Sequence, residues 1–173
     1  TMDGENGDRI IVSKKNHNNV SGSVGDALEL SNNEKSVLEG LKALKDAGKI
    51  DNIVVLMNTA SALQCDFLED PKYNIDACMW VGLPGTNGAN AIGKLLTGEY
   101  NPSGRTTSIH SYDLKTNPSF YNAGCQTAYS NYVVYKEDIY VGYKWYETAD
   151  KEGYWNNVNN KYGKGYNGVV QYP

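Results

Sequence analysis

Two short stretches carry the groups best suited to meet a ligand: Asn58-Thr59-Ala60-Ser61 and the glycine-rich run from Gly82 to Asn90. Amides in a glycine-rich turn can cradle a phosphate, which invites a nucleotide or flavin reading. However, the spacing Gly82, Gly85, Gly88 is not the dinucleotide fingerprint, and no Walker lysine follows it. The structural alternative is that these glycines only make a tight strand-to-helix turn. Thiol and imidazole chemistry is sparse. Cys65, Cys78 and Cys125 contain no CxxC pair, and their odd number argues against both a disulfide framework and a zinc knuckle. Free thiols lean towards a reducing, cytoplasmic compartment. His17 and His110 are isolated, whereas zinc takes three or four protein ligands, so no metal and no other cofactor is expected. The rings of Tyr140, Tyr143, Trp145, Tyr146, Tyr154 and Trp155 combine apolar faces with polar rims. Such rings suit sugars, protein interfaces and half-buried loops alike.

Charge removes further classes. Lys and Arg number 16 against 20 Asp and Glu, a net charge of −4. Nucleic-acid binders need a basic face, so no nucleic-acid partner is expected. No apolar run approaches the ~20 residues of a membrane span, so no membrane is expected either. Thr1 to Asp8 is polar and acidic and does not read as a signal peptide.

These groups must be held by a chain of 173 residues, the size of one domain. The pattern changes near Tyr100. Residues 28–105 read as a regular α/β core, while most of the 14 tyrosines fall in residues 106–173, a loop and strand tail rich in Asn and Gly. Ser31-Asn32-Asn33-Glu34 forms a capping box. Val37, Leu38, Leu41 and Leu44 follow as an apolar stripe at helical spacing, with Gly48 as the stop. Ile53–Met57 and Ile75–Val81 are near-continuous apolar runs, expected as adjacent parallel strands buried on both faces. A helix is expected over Ala60–Glu69, ended by Pro71, and another over Ala89–Leu96, stopped by Gly98. Strand, helix and strand at this spacing predict a right-handed βαβ unit. The expected fold is an α/β sandwich: a doubly wound, mainly parallel sheet flanked by helices. In such sheets ligands bind beyond the carboxyl ends of the strands, where both polar stretches fall. Asn131–Val134 and Asp138–Val141 suggest short strands in the tail.

Several segments together resemble the second, sandwich-like domain of family 3 glycoside hydrolases. Trp80-Val81-Gly82-Leu83-Pro84-Gly85-Thr86-Asn87-Gly88-Ala89-Asn90-Ala91-Ile92 is similar to that family's W-x-G-x-P-G-x-x-G-x-N-A-I segment. Gly98 to Arg105 is similar to its G-x-x-N-P-S-G-R, and Glu137 to Tyr146 to its E-G-I-Y-V-G-Y-R-Y-Y. Gly7-Asp8-Arg9, followed by Leu28-Glu29-Leu30, is similar to its G-x-D-R and the Leu-rich stretch behind it.

The resemblance implies a β-glucosidase-type parent acting on a β-linked oligosaccharide or glycoside. Family members carry a (β/α)₈ barrel with an Asp nucleophile in an S-D-W-like segment. No such segment occurs here, and the F-G-Y-G-L-S-Y run that follows a position like Pro173 is absent. The chain is therefore expected to be a piece of a larger enzyme, cut at both ends, with the barrel as its partner and no activity alone. Retaining hydrolysis needs a nucleophile and an acid/base about 5–5.5 Å apart. In the family the acid/base usually comes from a sandwich-domain loop. Residues 1–27 match that loop and read as a flexible catalytic-loop segment, with Glu5 the candidate acid/base between Gly4 and Gly7. In many relatives this residue lies upstream of the G-D-R element, which here would fall before Thr1 and leave Glu5 a solvated loop residue. Asp8 and Arg9 are candidate substrate-binding residues or a local ion pair. Glu137 resembles a family position and is expected to support the site. The runner-up is a carbohydrate-binding module without catalysis, using the rings of the tail.

Overall fold

The computed structural model describes residues 28–59, 63–122 and 135–173. Four helices are present among them: α1 (Asn32–Asp46), α2 (Gly85–Leu96), α3 (Pro118–Asn122) and α4 (Tyr143–Lys151). Their strands are β1 (Val54–Met57), β2 (Ala77–Trp80), β3 (His110–Ser111) and β4 (Val170–Tyr172).

α1 begins and ends as its sequence dictates. The Ser31 amide donates to Glu34 Oε2 at 2.8 Å, and the Glu34 amide donates back to Ser31 Oγ at 3.2 Å. Such a cap contributes about 1 kcal/mol. At the other end Gly48 adopts φ +66°. Its amide donates to Lys45 O, and the Lys49 amide donates to Leu44 O. These two bonds form the Schellman closure, which favours Gly because a Cβ is strained at positive φ. The stripe is buried less than expected. Leu38 is buried, but Val37 is 61% and Leu44 40% exposed among the described residues. Leu38 packs with Phe67 and Tyr73, with Leu30, Val55, Leu68 and Ile75 around them.

β1 and β2 pair in parallel, with Val54 opposite Ala77, Val55 opposite Cys78, Leu56 opposite Met79 and Met57 opposite Trp80. The expected strand neighbours are therefore present. Their expected burial on both faces is not: Ile53 and Met57 are buried, while Val54 is 43% and Leu56 36% exposed among the described residues. α1 is fastened to this sheet electrostatically. Lys45 Nζ donates to Asp76 and to the Asn74 carbonyl, and Asp76 Oδ2 also accepts from the Ile53 amide at 2.6 Å. The Lys45 hydrogen bond, then the Ile53 amide, holds the Asp76 carboxyl below its usual range.

Two expectations need correction. The described part of the segment expected as a helix over Ala60–Glu69 is only a 3-10 turn, Asp66–Glu69; residues 60–62 lie outside the described set. The Gln64 amide donates to Leu28 O instead of to a helical carbonyl. Asp138–Val141 is a turn and not a strand: Asp138 sits at φ +52° and the Tyr140 amide closes on Glu137 O. Asn131–Val134 lies outside the described residues. Among the described residues the strands form two two-stranded sheets, β1-β2 parallel and β3-β4 antiparallel.

The tail builds a second core. Tyr146 and Ala149 of α4 pack with Trp155, Val169 and Val170, and with Ile109, Trp145, Val158 and Tyr166 at the margin. The two cores meet at Cys65–Glu69. Tyr112 Oη donates to Glu69 Oε2 at 2.7 Å and Tyr162 Oη to Asp66 Oδ2 at 2.8 Å. The two phenol rings stack at 4.0 Å and 6°. Beside them Gln171 Nε2 donates to the Cys65 carbonyl at 2.9 Å.

Candidate functional site

β1 runs out into exposed Asn58 and buried Thr59, while β2 runs out through Val81, whose amide donates to Met57 O at 3.1 Å. Gly82 at φ +58° and Gly85 at φ +64° turn the chain from β2 into α2. A Cβ on Gly88 would lie 2.8 Å from the Pro84 Cβ. The glycine spacing is thus accounted for by the turn and the helix start, which is the structural reading of the run.

Two clefts open beside this turn and share Cys78, Trp80, Thr106 and His110 as lining. The larger, about 830 Å³, lies between β2, the Ile92–Leu95 face of α2 and the stretch holding Arg105. The smaller, about 420 Å³, lies between the two strand pairs, with Met57, Cys65 and Tyr172 in its wall. The His110 imidazole neighbours two rings, with its centroid 6.0 Å from Trp80 and 6.2 Å from Tyr172.

The electrostatics favour neutral groups. Burial, followed by Cys78 and Asp66, pushes the Cys65 thiol up to about 12. Burial alone pushes Cys78 up to about 11. Cys65 Sγ lies 3.8 Å from His110 Nδ1, yet a thiol so far above neutrality holds its proton and is a poor nucleophile. Burial, then the Glu69 carboxylate, pushes Tyr112 up to about 12, and burial followed by Asp66 raises Tyr162. Asp66 and Glu69 each accept a phenol, so these two carboxylates tie the two cores together. The arrangement can bind and position a ligand, and among the described residues it holds no activated nucleophile.

Burial pushes the His110 imidazole below its ordinary value. The folded chain therefore keeps His110 neutral at pH values where an unfolded chain, near ~6.5, is already protonated. Above ~6.5 neither state is charged and no penalty arises. As pH falls from there, the unfolded state binds the extra proton and stability drops, until the folded value is reached. Urea midpoints of wild type and His110→Gln should converge in slope above ~6.5 and diverge below it, with the variant flatter. Parallel profiles throughout would mean other groups carry the acid sensitivity.

Sequence reasoning pointed to Glu5, Asp8 and Arg9, and all three lie outside the described residues. Glu137 lies in the turn before α4 and is partly buried. Of the six rings singled out in the tail, Tyr146 and Trp155 are buried core residues, Trp145 packs at the core margin, and Tyr140, Tyr143 and Tyr154 are exposed. His110 was set aside for lack of a neighbouring ligand in sequence, and its partner Cys65 is 45 residues away. The alternation of His110 and Tyr112 within a short polar stretch was the available signal for a strand there.

A family model described as the glycosyl hydrolase family 3 C-terminal domain matches residues 3–143. A β-glucosidase of Ruminococcus albus is 27% identical over 126 residues, covering 71% of this chain and 12% of the relative. β-Glucosidase A of Butyrivibrio fibrisolvens is 31% identical over 137 residues, covering 79% and 15%. A β-glucosidase of Schizophyllum commune is 39% identical over 66 residues, covering 38% and 32%. The chain thus spans 12% to 15% of the length of the first two relatives. No solved structure shows a significant match.

Proposed function

The chain belongs to the glycosyl hydrolase family 3 C-terminal domains, and from that premise we propose that it completes the active site of a retaining, β-glucosidase-like enzyme. The substrate is a terminal β-linked sugar of an oligosaccharide or glycoside. A (β/α)₈ barrel of the same protein supplies the nucleophilic carboxylate, and this domain supplies the proton donor. The match to the family over residues 3–143, which includes Glu5, Asp8, Arg9 and the turn from β2 into α2, is the observation that carries this reading. The described clefts are consistent with it: their one lining carboxylate, Asp76, is held by Lys45, and burial keeps the Cys65 and Cys78 thiols protonated.

In this reading residues 1–27 carry the catalytic loop, 28–105 form the core and 106–173 the tyrosine-rich tail of one α/β sandwich domain. The doubly wound sheet belongs to the same proposal. Glu5 protonates the leaving oxygen and later deprotonates the incoming water, as microscopic reversibility requires. Asp8 and Arg9 engage sugar hydroxyls. The carbohydrate-binding alternative relies on rings of which Tyr146 and Trp155 are spent on the core.

The test is turnover of an aryl β-glucoside by the 173-residue chain alone and by the full-length protein that contains it. A retaining site without its nucleophile loses many orders of magnitude in rate. The expected result is no measurable turnover from the chain and normal turnover from the full-length protein. Hydrolysis by the purified chain at a rate comparable to the full-length protein would overturn the two-domain reading.

A further inference from the structure

Cys65 lies in the wall of the smaller cleft, 2% exposed, and its Sγ has three polar neighbours. Leu63 O is 3.3 Å from Sγ, His110 Nδ1 3.8 Å and Met57 Sδ 4.0 Å. A thiol can serve only one acceptor with its proton. With His110 protonated on Nε2, two of these neighbours turn lone pairs towards a sulfur whose proton is already given.

We propose that Cys65, His110 and Met57 form a binding site for a soft monovalent metal ion, copper(I) in particular. With metal–sulfur bonds of about 2.3 Å and a metal–nitrogen bond of about 2.0 Å, a trigonal ligand set places its sulfurs about 4.0 Å apart and sulfur and nitrogen about 3.7 Å apart. The separations of 4.0 Å from Cys65 Sγ to Met57 Sδ and 3.8 Å from Cys65 Sγ to His110 Nδ1 match the two sides of that triangle that meet at the thiol. The imidazole neighbours the rings of Trp80 and Tyr172, which limit its motion. Thiolate and thioether donors select soft ions. No group of three or more His, Cys, Asp or Glu is placed to hold a metal among the described residues. The third donor is the thioether of Met57, so the set does not suit zinc or harder divalent ions.

The chemistry balances without an oxidant. Copper(I) replaces the thiol proton, a sulfur–copper bond forms as the sulfur–hydrogen bond breaks, and the proton leaves to solvent. The thiolate charge cancels that of the ion, so the buried site gains no net charge, and an unpaired charge is what burial penalises most. Cys78, exposed and lining the same cleft, offers a first thiol contact on the way in.

The site is tested by competing the full chain against a chromogenic copper(I) chelator under anaerobic reducing conditions, in a Cys125→Ser background. One copper(I) per chain is expected, with one proton released and a sulfur-to-copper absorption band in the near ultraviolet. Met57→Leu and His110→Gln should each weaken binding by about 10–100-fold or more, and Cys65→Ser should abolish the band. Cys78→Ser should leave affinity within a few-fold. Met57→Leu conserves core volume, so it remains informative if Cys65→Ser fails to fold. No binding, binding that survives Met57→Leu unchanged, binding lost only in Cys78→Ser, or zinc held more tightly than copper(I) would each overturn the proposal. The readout is metal affinity, so it stands or falls separately from the glycosidase reading.

Discussion

Replacing Glu5 by Gln in the full-length protein should lower hydrolysis of β-glucosides with poor leaving groups by about 10²–10⁴-fold. Gln keeps the size of the side chain and removes the proton that an alkoxide leaving group requires. A leaving group that is stable as an anion, such as a nitrophenolate, needs no such help. Glycosylation by activated aryl glucosides should therefore suffer much less. The second half-reaction then becomes limiting, because the same carboxylate must deprotonate the attacking water. Azide needs no base, so adding it should restore turnover and yield the β-glycosyl azide. The pH–rate profile gives a second readout. An acid working near neutrality needs a pKa raised by burial or by a neighbouring negative charge. The alkaline limb of the wild-type profile should accordingly vanish in Glu5→Gln. Unchanged kinetics on both substrate types would exclude Glu5 and transfer the role to a residue upstream of Thr1.

Trp155→Ala should cost about 3–5 kcal/mol of stability, the usual range for truncating a buried large aromatic. Trp155 is 5% exposed and stands at the centre of the second core. Its indole packs on Tyr146 at 6.2 Å and 24°, and meets Trp145 and Tyr154 edge-on at 6.1 and 4.7 Å. Its Nε1 donates to the Tyr146 carbonyl at 3.2 Å. Truncation removes the filling and the donor together. The loss should spread to the other side of α4, where Trp145 Nε1 donates to Thr116 O and Tyr146 Oη meets Thr116 Oγ1. Trp155→Phe keeps most of the volume and loses the donor, so a smaller cost, about 1 kcal/mol plus a modest packing term, is expected. Urea midpoints and near-ultraviolet circular dichroism separate the two. Equal midpoints for the Ala and Phe variants would mean that packing at this position contributes little.

What the sequence disclosed follows from how local the interactions are. The capping box of Ser31 and Glu34 and the left-handed Gly48 involve residues within a few positions of each other, so their types and spacing suffice. The parallel pairing of β1 with β2 was legible from the two apolar runs Ile53–Met57 and Ile75–Val81 and the spacing between them. Their two-sided burial was not, because what covers Val54 and Leu56 depends on segments far away in the chain. α4 was hidden by its composition. Tyr, Trp and Thr suit strands at least as well as helices, and only the packing of Tyr146 and Ala149 on Val169 and Val170 decides between them. The pins from Tyr112 to Glu69 and from Tyr162 to Asp66 leave no local trace, since each joins an ordinary surface-type carboxylate to a tyrosine that is 43 or 96 residues later. The catalytic assignment rests on resemblance alone, because a lone Glu between glycines has no physical signature until a neighbour desolvates it.

The bond from Gln171 to the Cys65 carbonyl, which spans 106 residues, also sets a schedule for synthesis. A ribosome adding roughly 5–20 residues per second needs about 5–20 s to cover that interval. During that time α1, β1 and β2 can assemble from neighbours already made, as short loops close at low entropic cost. The wall of the smaller cleft cannot. Among the described residues β3 pairs with Val170–Tyr172, which emerges last, and until then the Cys65–Glu69 stretch lacks the Tyr162 phenol and the Gln171 amide that hold it. The nascent domain is consequently an open hand for most of its translation, with Cys65 more accessible to thiol reagents than it is in the finished fold, where it is 2% exposed.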